Sequence, residues 1–385
     1  DDHHRCGDHH QGHAGPQTQM TPLLPLIIDE IDSQGPIGFD RYMELCLCHP
    51  EHGYYTSGDP LGRDGDFITA PEISQMFGEL IGLWLHDQAS RQNLDRPALA
   101  ELGPGRGTLM ADALRALSAA GATPGGVHLV EISPALRERQ RATLNQSNPE
   151  NTAGNTADSI TWHDAITTLP EEPLLIIANE FFDALPVRRF VARGQHWHEI
   201  RVGHDNGQLI EIIDAAPAEP FPGLPSQVDT QSGNVKRLEF CPAAPMIADA
   251  LASHVNRHGG VALIIDYGSA GQAGDTLQSV RQHQRHDALE APGQADLTAW
   301  VDFSIFTRAA QDHGLVAAGP VEQGDFLRSV GLYQRAENLA RNADPIQRRR
   351  LLAAVERLSG SAHMGSAFKV MALLPGGVTL PIAGF

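Results

Sequence analysis

At 385 residues the chain is long enough to bury a large core as one elaborated domain or two. Its 28 Lys and Arg face 47 Asp and Glu, a formal charge of -19 that opposes broad contact with a phosphate backbone and sets nucleic acid aside as a substrate. No apolar run approaches the roughly 18 residues of a membrane span, and Cys6, Cys46, Cys48 and Cys241 form no Cys-x-x-Cys pair, so no membrane span, disulfide framework or structural metal is expected and a reducing cytoplasm fits.

His3, His4, His9, His10 and His13 stand among Asp and Gly, a composition that buries too little apolar surface to offset the entropy of ordering. Residues 1–19 are therefore expected as a disordered, dispensable His-rich tail, with Met20 as a natural start. Arg5 against Asp1, Asp2 and Asp8 is not the Arg-rich, acid-poor pattern of a mitochondrial transit peptide. A helix is predicted over residues 23–31, stopped by Gly35-Pro36, and a second through Tyr42, Met43, Cys46 and Leu47, with Asp40 able to cap it. The aromatic, glycine-rich run from His52 to Glu72 is too elaborate for a connector. Tyr54, Tyr55 and the glycine-flanked residues 58–66 read as a lid, with Asp66 and Glu72 assigned to the same substrate and lid group. Ile73, Met76, Phe77, Leu80, Ile81 and Trp84 then recur at helical spacing as a core-facing stripe, within an N-terminal helical and lid segment over residues 20–92.

The stretch from Pro97 to Glu131 carries the first chemistry. Residues 98–102 read as a buried strand, Gly103, Gly105 and Gly107 as the tight turn after it, and Leu109, Ala113, Leu114 and Leu117 as one apolar helix face. Residues 127–130 supply a second strand with Glu131 at its carboxyl end, where open α/β sheets place their ligands. Such a unit suits either NAD or S-adenosylmethionine, since an acid in that place accepts from ribose hydroxyls in both. A dinucleotide fingerprint wants glycine where Thr108 stands and brings a pyrophosphate that Glu101 would repel, whereas the same carboxylate suits the ammonium and sulfonium of S-adenosylmethionine. Arg106 keeps a phosphate ligand in view.

A third strand over residues 160–163 ends at Asp164, expected near the adenine, and a fourth over 174–178 ends in Asn179-Glu-Phe-Phe-Asp183. Residues 187–213 alternate around Gly194 and Asn206-Gly207 as hairpin strands, an insertion in an otherwise α/β chain. A helix over 244–255 and a fifth strand ending at Asp266 follow; residues 269–299 are loop-like, and Trp300 opens another helix. Asp344-Pro345 caps a helix, and residues 368–374 close the sheet. The methyl-donor core thus spans residues 93–385, with insertions at about 187–243 and 269–362.

On Glu101-Leu-Gly-Pro-Gly-Arg-Gly107, Gly53-Tyr-Tyr55, the run from Gly65 to Glu79, Asn179-Glu-Phe-Phe-Asp-Ala-Leu-Pro186 and Asp296-Leu-Thr-Ala-Trp-Val-Asp302, the chain resembles the MidA-type S-adenosylmethionine-dependent methyltransferases, nearly throughout from Met20 onward. The resemblance implies a class I methyltransferase fold, α/β and Rossmann-like with a mostly parallel seven-stranded sheet, N-terminal helices, a β-rich insertion and extra C-terminal helices. It implies S-adenosylmethionine as cofactor and, as in the mitochondrial members that assist complex I assembly, a protein substrate such as the 49-kDa complex I subunit, dimethylated on arginine. Trp300 stands where the family pattern has His.

Methyl transfer from a sulfonium needs alignment and exclusion of water more than covalent help. A guanidinium is permanently charged and presents five donors, so carboxylates are its natural clamp. Glu180 and Asp183 are the candidates for that catalytic role, Glu101, Gly103, Gly105, Gly107, Glu131, Asp164 and Asn179 for the cofactor, and Tyr54, Tyr55, Asp66, Glu72 and Asp266 for substrate and lid. The rival readings are an NAD-dependent dehydrogenase, an amino-methylating nucleic acid enzyme, a small-molecule methyltransferase and an assembly factor that binds the cofactor without turnover. The oligomeric state stays open, a homodimer included.

Overall fold

The structure, a computed structural model, describes residues 18–56, 69–146, 160–225, 228, 237–271, 274–379 and 381–385. Seven runs supply the central sheet: β1 Ala98–Leu102, β2 Val127–Val130, β3 Ile160–His163, β4 Leu174–Asn179, β5 Gly260–Ser269, β6 Val316–Glu322 and β7 Phe368–Leu374. Their order is β6-β7-β5-β4-β1-β2-β3, with β7 antiparallel to both neighbours and the remaining pairs parallel. The two-residue strand Val301–Asp302 adds an eighth beside the end of β5. β1 and β4 are buried at every position and β5 at all but its last, the pattern of a parallel sheet covered on both faces. That double burial is why these strands read as apolar runs broken only towards their carboxyl ends.

Helices Gln75–Arg91, Leu332–Ala340 and Pro345–Ser359 cover one face of the sheet, Ala243–His258 and Ser304–Asp312 the other. Gln75–Arg91 lies directly on Thr108–Ala119. A Cβ at Gly78 would stand 2.8 Å from the Leu109 carbonyl oxygen and one at Gly82 2.8 Å from Ala113 Cα, so this contact needs glycine on one side. Buried Glu79 ties the pair to Leu332–Ala340 through Arg335 at 2.7 Å and Arg115 at 3.2 Å.

Strands Arg188–Arg193, His196–Asp205, Gln208–Ile213 and Arg237–Phe240 pair among themselves and with Ile37–Gly38, not with the central sheet. Four sequence expectations need correction. β6 lies inside the second expected insertion, hidden in the sequence because Gly319-Pro320 breaks its pattern where the register shifts between Ala318 and Val321. Residues 269–299 are not loop throughout, since Gln278–Arg281, Gln284–Arg285 and Asp296–Thr298 form a small antiparallel sheet. The helix expected from Trp300 starts only at Ser304, and Gly38 rather than Asp40 caps Phe39–Cys48.

The expected tail also stops short. Residues 1–17 lie outside the described residues, but Thr18 is buried, donating from N–H to Gln208 Oε1 at 2.6 Å and accepting at Oγ1 from Leu209 N–H at 3.0 Å. Gln19 N–H donates to the Glu290 carbonyl at 2.6 Å. Each such bond contributes about 1 kcal/mol, so a chain beginning at Met20 should melt about 2–4 °C below one beginning at Thr18. Superimposable thermal unfolding curves would show that these two residues anchor nothing. Among the described residues no helix is long and apolar enough to cross a membrane.

Candidate active site

In an open parallel sheet the ligand crevice lies beyond the carboxyl ends of the strands, where the strand order reverses. Here that point falls between β1 and β4, and a pocket opens there. Glu101 and Gly103 line it from β1, Glu131 from β2, and Asn179, Glu180 and Asp183 from β4 and the loop after it; Tyr55, Glu72, Arg106 and Asp296 complete its polar wall. Six carboxylates against one guanidinium make this a place for cations.

The glycine turn forms because Gly103, Gly105 and Gly107 all take positive φ, at 59°, 52° and 80°. A Cβ on Gly103 would also stand 2.9 Å from the Phe181 ring. Gly103 and Gly105 reach the pocket, whereas Gly107 begins helix Thr108–Ala119 and packs on Gln140. Gln140 is a residue the sequence reading missed, a fully buried amide on the polar helix Pro134–Gln146. Its Nε2 donates to the Gly105 carbonyl at 2.8 Å and to Glu131 Oε2 at 3.2 Å, while its Oε1 accepts from Trp162 Nε1 at 2.8 Å. Glu131 Oε1 accepts from Ser133 N–H at 2.8 Å, so the acid is held at the pocket edge from both sides. Thr108, where a dinucleotide fingerprint wants glycine, donates to Glu72 Oε1 at 2.6 Å and fixes that acid on the pocket wall.

Glu101 Oε2 and Asn179 Oδ1 are buried acceptors with no hydrogen-bond donor among the described residues. Two unfilled acceptors beside a glycine turn fit the ammonium end of S-adenosylmethionine, which brings the donors they lack. Burial alone pushes the Glu101 carboxyl up to about 8. The ionised form is then the one a cationic ligand selects, and binding below that value must expel a proton. The affinity for S-adenosylhomocysteine should therefore weaken as the pH falls below about 8, by up to tenfold per unit, with proton release visible by calorimetry in buffers of different ionisation enthalpy. A flat profile between pH 6 and 8 would remove Glu101 from the ammonium site.

Glu180 sits at φ 50°, an uncommon backbone for a side chain with a Cβ and one that the surroundings impose. Its N–H donates to the Ile265 carbonyl at 2.9 Å, and its Oε1 accepts from Ala70 N–H at 2.9 Å and Asn179 Nδ2 at 3.3 Å. Burial lifts its carboxyl to about 7 against those hydrogen bonds. Asp183 is raised well above the ordinary range, by burial and then by the neighbouring Asp266 and Glu180.

Besides Gly107, three expected site residues lie off the pocket wall. Asp266 is completely buried beneath the pocket, where Oδ2 accepts from the N–H groups of Phe182 and Asp183 at 3.0 and 3.3 Å and Oδ1 from Tyr267 N–H at 2.9 Å; it shapes the loop that carries the acids. Asp164 is exposed and ion-paired with Arg137, which also grips the Glu131 carbonyl, so it does not line the pocket. Tyr54 is packed in the core under Tyr55 and does not line the pocket: its N–H donates to the Cys46 carbonyl at 2.8 Å, and that of Tyr55 to the Leu47 carbonyl at 3.0 Å. Asp66 and the rest of 58–66 lie outside the described residues. Trp300 borders a different hollow, so the departure from the family pattern there does not touch this pocket.

Residues 80–321 match the model of a family described as S-adenosyl-L-methionine-dependent methyltransferases. The chain is 41% identical over 383 residues to the mitochondrial protein arginine methyltransferase NDUFAF7 of Mus musculus, covering 93% of this chain and 85% of that one. Against the Homo sapiens protein of the same name it is 38% identical over 387 residues, covering 94% and 86%. A crystal structure of a Burkholderia thailandensis protein bound to S-adenosyl-homocysteine is similar with a TM-score of 0.80 at 29% identity, over 94% of each chain. The curated relatives are named mitochondrial, which overturns the expected cytoplasmic location. Cysteine usage separates reducing from oxidising compartments and does not distinguish one reducing compartment from another.

Proposed function

The chain belongs to the family of S-adenosyl-L-methionine-dependent methyltransferases, and from that premise we propose that it methylates an arginine side chain of a protein substrate. The observation that carries this reading is the placing of Glu180 and Asp183, two acids lining the pocket that also holds the glycine turn and Glu101. The names of the curated relatives agree with it. A subunit of respiratory complex I, such as the 49-kDa one, is the substrate we propose on the family resemblance.

S-adenosylmethionine supplies, when bound, a methyl group already activated on a positively charged sulfur. What the chain must add is position and a proton acceptor. Glu101, Asn179, Glu131 and the backbone of the 103–107 turn would hold the donor, with Gln140 bracing the last two. Glu180 and Asp183 would hold the guanidinium in the same pocket. On methylation a guanidinium nitrogen would gain the methyl carbon as the carbon–sulfur bond breaks, S-adenosylhomocysteine would leave as the other product, and the nitrogen must shed a proton. Glu180, poised at about 7, is the group placed to take it.

Incubating the protein with methyl-labelled S-adenosylmethionine and a lysate lacking its own copy, then locating the label, tests the proposal. Label on a protein arginine is the expected outcome. Label on lysine, glutamine or a small molecule overturns the arginine reading, and cofactor binding with no transfer to any acceptor would make the chain an assembly factor without turnover.

A further inference from the structure

One more acid joins Glu180 and Asp183 in the pocket from a part of the chain far from the glycine turn. Asp296 begins the strand Asp296–Thr298 of the small antiparallel sheet, is buried, and lines the pocket with Glu180 and Asp183. Its Oδ1 accepts a 2.8 Å hydrogen bond from the Tyr55 hydroxyl. Tyr55 is itself fixed at both ends of its backbone, its N–H donating to the Leu47 carbonyl and its own carbonyl accepting from Ser133 Oγ at 3.2 Å, two residues beyond Glu131. On the other side, Ala299 N–H donates to the Asp183 carbonyl at 2.9 Å, which joins the segment carrying Asp296 to the loop carrying the first two acids. The placement is held by hydrogen bonds from three separate stretches of sequence.

Three acids gathered on one pocket wall favour a cationic ligand there. An ammonium offers three donors around a point, whereas a guanidinium offers five in one plane, spread over separate edges that separate acids can address. Resting on the arginine reading above, we propose that Asp296 is a substrate-binding residue, the third carboxylate around the guanidinium, and that it selects arginine over lysine.

Asp296→Asn tests this with little disturbance, because the amide oxygen still accepts from the Tyr55 hydroxyl while the charge is gone. The KM for an arginine-containing substrate peptide should rise about tenfold or more, as loss of a charge-assisted hydrogen bond implies. The kcat should change less, the affinity for S-adenosylhomocysteine should stay within about twofold of wild type, and the preference for the arginine peptide over its lysine counterpart should narrow. Asp296→Glu should recover part of the KM. If Asp296→Asn binds S-adenosylhomocysteine poorly because the pocket has collapsed, Tyr55→Phe keeps every charge and loosens only Asp296, and a several-fold rise in KM at unchanged kcat is then expected. A wild type that labels arginine together with unchanged KM and peptide preference in Asp296→Asn, or in Tyr55→Phe where that variant stands in, refutes the role of Asp296 alone. A wild type that labels another residue refutes the arginine reading, and the selectivity argument falls with it.

Discussion

Glu101→Gln is expected to weaken binding of S-adenosylmethionine and S-adenosylhomocysteine by about tenfold to a hundredfold, the worth of one charge-assisted hydrogen bond in a buried site. The same change should alter stability in a pH-dependent way. A carboxyl whose pKa rises on folding holds its proton more tightly in the folded chain, so its burial costs nothing below the ordinary value of 4.5 and most above about 8. The unliganded wild type therefore loses stability across that window, and Glu101→Gln does not share the loss. Melting temperature of the variant minus that of wild type should grow from pH 5 to pH 9, while the variant's ligand affinity is lower and loses the pH dependence of the wild type. A variant with wild-type affinity, or with a pH profile of affinity still bending near 8, would assign the ammonium to another acceptor.

The cofactor half of this pocket was legible in the sequence because its parts are local. Strand, turn, helix and second strand follow within some thirty-five residues, and the demand for φ above zero writes itself as glycine. What was not legible depends on pairings across the chain. Asp164 stands where a strand-end acid should face the adenine, yet Arg137, from a helix with no apolar stripe to announce it, draws it to the surface. Gln140 comes from the same helix, and a glutamine in a polar run carries no signal; the only clue lay in three groups that needed a partner, the Gly105 carbonyl, Glu131 and Trp162. Asp296 opens a stretch that carries the family resemblance, yet its place in the pocket was not legible, since a three-residue strand just after Pro292-Gly293 shows no period and residues 269–299 read as loop. Tyr54 and Tyr55 looked mobile because glycines flank them, but main-chain bonds to the end of helix Phe39–Cys48 hold both, a fact that composition does not express.

The acids after β4 give the second large effect. Glu180→Gln should cut methylation by at least about tenfold, equivalent to roughly 1.4 kcal/mol in the transition state, with cofactor affinity nearly unchanged. The substitution is mild structurally, because the oxygen that accepts from Ala70 N–H and Asn179 Nδ2 is retained and the left-handed backbone at this position is left alone. What disappears is a charge beside the guanidinium and a base for its proton. Both functions require the ionised carboxylate, and burial has raised this one to about 7, so the wild-type rate should climb with pH through about 7 and then level off. In Glu180→Gln that limb should vanish and leave a low, flatter profile. If the variant keeps full activity, the clamp and the base lie elsewhere. If activity falls but a rising limb survives in the variant, Glu180 positions the substrate and the proton leaves through another acid such as Asp183, whose carboxyl is raised by burial and then by Asp266 beneath it.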